Sequence, residues 1–373
     1  MQKTPTWLWG GLFLLLLFTT VFFGYIGQDK VLLTTDAAIG SASTSWNEVL
    51  RGVFPTWGDK VFLGGPNGGA SMTVVGLLLA VLPGILWNNL VYGLACLLGA
   101  GVLLWWLQRQ SLCVSAALLA GITACWLGSN FSLLYAGHDQ KPYVVLFFLL
   151  ALIPAEQAAK GRLTSGLLWG SCVGLMFVQQ PDVALFFALF SGAYLVFRLW
   201  SAQGLRPLRW LKVLLPALVL ALVFAAVPLL SGYKYSVKDA APVQTESAQA
   251  KWGFITQWSF PPEESIDFIA PGYTGWRSGE PDGPYWGRMG RSPGWEQTHQ
   301  GYMNFKLESV YLGFIPLAFA FFALFVALFS YSHTRLHRGV PRSSSGDVWR
   351  SLRSCWRSVN SSRSIRSFIN CRS

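Results

Sequence analysis

Trp7-Leu-Trp-Gly-Gly-Leu-Phe-Leu-Leu-Leu-Leu-Phe-Thr-Thr-Val-Phe-Phe-Gly-Tyr-Ile26 is twenty residues without a charge, the length an α-helix needs to cross a hydrocarbon core of roughly 30 Å. It follows Lys3, and no small-residue cleavage site comes after it, so it reads as a retained membrane helix and not as a removable leader. Further apolar runs follow at Met72 to Leu82, Gly84 to Leu107, Leu112 to Leu127, Tyr143 to Pro154, Leu163 to Val178, Val183 to Leu199, Leu211 to Leu230 and Val310 to Phe329. Apolar residues make up 53% of the 373 and charged ones only 12%, and the mean hydropathy is +0.42. That is far more apolar surface than a soluble domain can bury, so the expected class is an all-α, polytopic helical membrane protein with a large irregular extracytoplasmic loop.

Parity fixes the expected topology. If the Met72 to Leu82 run crossed, the clusters Lys160/Arg162 and Arg198/Arg206/Arg209/Lys212 would face outward, against the bias of basic loops toward the cytoplasm. The run is also short and is stopped by Pro83, so it is read as re-entrant or interfacial. About eight spans remain, with the N-terminus cytoplasmic. Residues 1–330 form the membrane region, with outer loops at 27–71, 128–142 and 231–308, and residues 331–373 form a basic tail.

The net charge of +11 sits mostly in that tail, which carries nine Arg against one Asp from Tyr331 onward. The rest of the chain holds only +3, which gives no nucleic-acid footprint; membrane lipids are the expected surroundings. From Ser343 the composition turns to Ser and Arg, as in a disordered segment. Read in the neighbouring frame with TCN and CGN codons, Ser351 to Ser373 can instead spell an apolar helix. The expectation is then a frameshift product whose last native residues lie near Phe329. Cys96, Cys113, Cys125 and Cys172 fall in apolar runs without CxxC or Cys/His spacing and are read as packing residues.

Candidate chemistry lies on the outer side. Asp36, just past the first helix, is placed to take a proton from a hydroxyl, although taken alone it better suits a solvated helix cap. The run Leu63-Gly-Gly-Pro-Asn-Gly-Gly69 lacks the Gly-Lys-Ser/Thr ending of a phosphate loop and is read as a tight turn. Tyr135-Ala-Gly-His138-Asp139-Gln-Lys141-Pro gathers a base, a carboxylate and a cation at a helix boundary, which suits phosphate binding as well as simple snorkelling. Asp182, after Gln179-Gln-Pro181, is read as a helix cap. The loop around Trp258, Trp276 and Arg288 is dense in aromatics beside charges, a pattern for stacking on sugars or for anchoring among headgroups. With only four His in the chain, no His-based metal centre is expected, and a carboxylate-held divalent ion is left open.

Together with the Trp57 to Gly69 run, the series Gly137-His138-Asp139-Gln-Lys141, Thr256-Gln-Trp258-Ser-Phe-Pro-Pro-Glu-Glu264, Pro271-Gly-Tyr-Thr-Gly275, Tyr285-Trp-Gly-Arg288 and Asn304-Phe-Lys306 resembles the YfhO-like bacterial membrane proteins over roughly Trp7 to Phe329. That family is placed among GT-C-type glycosyltransferases. The resemblance implies a bacterial inner-membrane enzyme that moves a sugar from a polyprenyl-phosphate carrier to a lipid or cell-envelope acceptor on the outer face. Asp36 would be the catalytic base, and His138 and Lys141 would face the carrier phosphate, with Asp139, Trp258, Trp276 and Arg288 in the substrate site. A transporter or lipid flippase, which should carry ionisable residues in mid-span, and a non-catalytic scaffold, in which Asp36 and His138 share no cavity, are the competing expectations.

Overall fold

A computed structural model describes residues 6–25, 45–51, 56–58, 65–67, 73–81, 84–233, 252–253, 256, 258–275, 285–291, 294–299, 306 and 309–337. The main elements are α1 (Thr6–Phe22), α2 (Trp46–Arg51), β1 (Thr56–Gly58), β2 (Gly65–Asn67), α3 (Val74–Val81), α4 (Gly84–Arg109), α5 (Val114–Cys125), α6 (Gly128–Ala136), α7 (Lys141–Ala158), α8 (Leu163–Gln179), α9 (Pro181–Gln203), α10 (Pro207–Gly232), α11 (Trp295–Thr298) and α12 (Phe314–His337). Among the described residues five helical stretches are long and apolar enough to cross a membrane: Asn89–Arg109, Val114–Leu134, Lys141–Ala158, Pro181–Gln203 and Pro207–Leu230. Three shorter apolar helices accompany them, at Trp7–Phe22, Leu163–Gln179 and Phe314–Phe329. The chain is a multi-pass helical membrane protein.

The exposed surface fits that solvent. Helix α1 buries Gly10, Leu14, Phe18 and Phe22, one residue every four, against α4, and leaves Trp9, Leu12, Leu16 and Phe23 exposed. Such a helix has one packed stripe and an apolar remainder, which suits a hydrocarbon surrounding. Thr19 and Thr20 on the outer faces donate their hydroxyls to Leu15 O and Leu16 O at 2.8 Å, so they carry no unsatisfied donor into hydrocarbon.

Helix α7 joins the packed clusters. Val144, Ala151, Ala155 and Ala158 pack with residues of α8, α9 and α10. Leu149 packs with α1, α4 and α5, and Tyr143 and Leu146 pack with α3 and α4. Close approach of α8 to α10 depends on missing side chains. Gly166, Gly170 and Gly174, spaced by four, face Val213, Ala217 and Ala221, also spaced by four, so the two backbones touch. A Cβ at Gly170 would lie 2.9 Å from the Cα of Ala217 and closer still to its carbonyl oxygen. Trp169 Nε1 donates to Ser191 Oγ at 2.8 Å and ties α8 to α9 inside the bundle.

Helix α3 occupies the run from Met72 to Leu82. Eight residues rise only about 12 Å, too little to cross. Its start is held twice: Thr73 Oγ1 accepts from Gly76 N at 3.0 Å, and Gln179 Oε1 accepts from Val74 N at 3.1 Å. The glycine-rich run differs from expectation. Gly65–Asn67 is not a turn but a strand paired antiparallel with Thr56–Gly58, Pro66 opposite Trp57. In a two-stranded ribbon both strands are edges, so a proline without an N–H costs little. Asp182 also differs: it lies in the first turn of α9, but no side-chain capping bond forms and Gln180 takes the cap position. Cys96 and Cys125 are buried as expected, whereas Cys113 precedes α5 and is exposed.

The chain divides into two compact units, Met1–Gly313 and Phe314–Ser373. In the second unit α12 shows Phe314, Phe319, Phe322, Phe325 and Phe329 exposed along its length. The Ser343 to Ser373 tail lies outside the described residues.

Candidate functional site

The segment read as a polar connection at 128–142 is helical over most of its length. Helix α6 continues α5 past a bend at Trp126 and Leu127, and it ends at Gly137, whose φ of 92° is the left-handed conformation that glycine takes without strain. Gly137 N donates to Leu134 O and His138 N to Leu133 O, both at 3.0 Å, which closes the helix with paired back-bonds. Pro142 then stands in the first turn of α7, where a missing N–H is harmless. The Gly137 to Pro142 motif is therefore the joint that turns the chain from α6 into α7.

That joint sets His138, Asp139 and Lys141 in one turn, each half-buried. Among the described residues no ion pair forms between Asp139 and Lys141, nor between either and any other group. Burial pushes the Asp139 carboxyl up to about 6, against the pull of the backbone N–H groups of Asp139 and Gln140. The carboxyl thus exchanges its proton near neutrality. The native state binds the Asp139 proton more tightly than the unfolded chain does, so this group's contribution to stability falls as the pH rises through about 6. Asp139→Asn should flatten that dependence and raise stability above pH 6 by about 1–3 kcal/mol, read by thermal melts in detergent between pH 4 and 8. Equal slopes in the two proteins would show the carboxyl to be water-solvated.

The long outer loop, read as irregular, contains a buried polar core. Glu264 and Asp267, on the 3-10 turn Pro262–Phe268, are 1% and 2% exposed, and Lys306 is 2% exposed. Lys306 Nζ reaches Asp267 Oδ2 at 2.5 Å, Thr274 Oγ1 at 3.0 Å and Glu264 Oε2 at 3.5 Å. Tyr285 donates its hydroxyl to Glu264 Oε1 at 2.6 Å and accepts from Met289 N at 2.8 Å. Thr274 binds Asp267 through both its amide and its hydroxyl. Burial drives the Asp267 carboxyl upward, but the hydrogen bonds from Lys306 and Thr274 outweigh it and hold the group below the ordinary range. Burial and the bond to Glu264 raise the Tyr285 hydroxyl, so it stays protonated as a donor.

Around this core the aromatics sort by role. Tyr285 is buried in it, while Tyr273 and Trp286 stand exposed in an edge-on pair 5.7 Å apart, and Trp258 is exposed as well. Arg288 is exposed and paired at the surface: its Nε and Nη2 lie 2.5 and 3.3 Å from the two oxygens of Glu263. The loop end is fastened to the bundle where Ser309 N donates to Ser132 Oγ at 3.0 Å. Ser132 lies on α6 one turn before its last residue, Ala136. Asp36 and Trp276 lie outside the described residues.

A further cluster joins helix ends on the opposite side of the bundle from the joint. Glu156 on α7 accepts from Gln110 Nε2 at 2.7 Å and from Tyr194 OH at 2.8 Å, and Arg198 Nη1 lies 3.6 Å away. Its members are 38 to 46 residues from Glu156 in sequence, which hid the pairing; Glu156 stands two residues past the apolar run that ends at Pro154, and Arg198 stands near the end of the Val183 to Leu199 run. Among the described residues no three His, Cys, Asp or Glu side chains gather closely enough to hold a metal ion. No protein-family model, curated protein or solved structure matches the chain.

Proposed function

We propose that this chain is a YfhO-like GT-C-type glycosyltransferase, with about eight spans and a cytoplasmic N-terminus in a bacterial inner membrane, that transfers a sugar from a polyprenyl-phosphate carrier to an envelope or lipid acceptor. The observation that supports it is the joint between α6 and α7: a lysine and a half-buried carboxyl, neither in an ion pair among the described residues, stand beside His138 at the end of the helix on which a folded outer loop is pinned. In this reading Lys141 and His138 hold the carrier phosphate as cation and donor. The acceptor hydroxyl attacks the anomeric carbon, the bond from that carbon to the phosphate oxygen breaks, and Asp36 takes the hydroxyl proton. Tyr273 and Trp286, exposed at the loop surface, offer rings for a sugar face.

The test is transfer of labelled sugar from polyprenyl-phosphate carriers in membranes. Asp36→Asn should lower turnover at least about a hundredfold, the usual share of a general base. Lys141→Ala should weaken carrier binding more than turnover. Unchanged transfer by Asp36→Asn removes the assignment. Translocation, the rival reading, needs ionisable groups in mid-span, whereas Glu156 and Arg198 lie within two turns of the ends of α7 and α9 and pair with each other.

A further inference from the structure

An open groove of about 610 Å³ runs between α1, α4 and α7, lined by Leu14, Leu97, Gly101, Trp105, Leu150 and Ile153. Its volume lies within the roughly 300–1,000 Å³ of small-ligand sites. It exists because side chains are missing: a Cβ added at Gly11 or Gly101 would meet nothing within 4 Å. Along α4 the lining from Leu97 to Trp105 rises about 12 Å, and Arg109 one turn further brings the span to about 18 Å, close to one leaflet of a 30 Å core. The groove therefore reaches from the bilayer middle to the headgroup layer.

The mouth carries the charge. Arg109 lies at the end of α4 with its guanidinium 5.0 Å above the Trp105 ring, and among the described residues it has no carboxylate partner. Glu156, one turn beyond Ile153 on α7, is already engaged by Gln110, Tyr194 and Arg198. We propose that this groove holds one chain of an anionic phospholipid, with the lipid phosphate on Arg109. The chain leaves one hydrocarbon surrounding for another, so close packing retains it and Arg109 selects the headgroup. The inference is independent of the transfer chemistry proposed on the other face.

The full chain, reconstituted in nanodiscs of equal phosphatidylglycerol and phosphatidylcholine and released for native mass spectrometry, tests it. The protein should retain phosphatidylglycerol about fivefold over phosphatidylcholine, the discrimination one interfacial cation supplies. Gly101→Leu, and separately Gly11→Leu from the other wall, should lose retained lipid of both kinds, while Gly192→Leu, also open to space, should keep it. Arg109→Ala should keep a bound lipid but bring the two headgroups to parity. Wild-type retention in both groove-filling variants, or an undiminished preference in Arg109→Ala, overturns the proposal.

Discussion

Gly170→Leu is expected to separate α8 from α10 and to cost about 3 kcal/mol or more, at or beyond the upper end of overpacking penalties. The first added carbon already meets Ala217 Cα at 2.9 Å and its carbonyl oxygen more closely, and both belong to backbone that no rotamer change can move. Gly166 and Gly174 lie at 3.0 and 2.8 Å from Val213 O and Ala221 O by the same measure, so the helices cannot slide by one turn to relieve the clash. Gly170→Ala isolates the backbone contact and should destabilise with only one methyl added. Gly192→Ala on α9, where the methyl meets nothing within 4 Å, should stay within about 1 kcal/mol and favour the helix. Unfolding in detergent, followed by the reactivity of the half-buried Cys172 on α8, reads all three. Full stability in Gly170→Ala would show that the two helices do not meet along this stripe.

Lys306→Met is expected to cost about 3–5 kcal/mol within the outer loop, because it leaves the Asp267 and Glu264 carboxylates buried without their cation. The bundle should survive, so the loss appears as tryptic cleavage within the loop and not as release of the helices. Its pH dependence should reverse sign. In the native protein Asp267 is held below its ordinary range, so its contribution is present at neutral pH and is lost as acid protonates it. Without Lys306 the burial that already drives the Asp267 carboxyl upward loses its main opponent, and acidification should then restore the loop. Adding Asp267→Asn to Lys306→Met should recover part of the loss, since Glu264 keeps the Tyr285 hydroxyl. By contrast Arg288→Ala, which breaks a pair standing in water, should leave cleavage unchanged. Equal protease resistance of Lys306→Met and the native chain would remove the polar core as the loop's support.

The motif from Gly137 to Pro142 was readable in both its senses. Its glycine, polar residues and proline mark a helix joint by local chemistry alone, and the same adjacency puts His138, Asp139 and Lys141 in one turn. What spacing could not give is that Asp139 and Lys141 form no ion pair among the described residues, or that burial lifts the carboxyl toward neutrality. The stripe Gly166, Gly170, Gly174 was equally visible as small residues at every fourth position. Its partner Val213, Ala217, Ala221 was not identifiable without knowing which helix lies opposite. The pairing of Arg288 with Glu263 at the surface, 25 positions away, was likewise beyond local spacing.

The sequence by itself determined the membrane character, since uninterrupted apolar runs of helical length have one stable solvent and one way to satisfy their backbone there. It also determined the brevity of α3 and the ends of most helices, which depend on neighbours within a turn. Only the tertiary structure decided which faces of those helices meet, which carboxylates the outer loop buries around Lys306 and where a groove stays open between α1, α4 and α7. In a bilayer the faces of an apolar helix are nearly equivalent in hydropathy, so packing shape and distant charge pairs choose among them. Those choices join residues some 40 apart, as Lys306 and Asp267 are joined across 39 positions, beyond the reach of any local pattern.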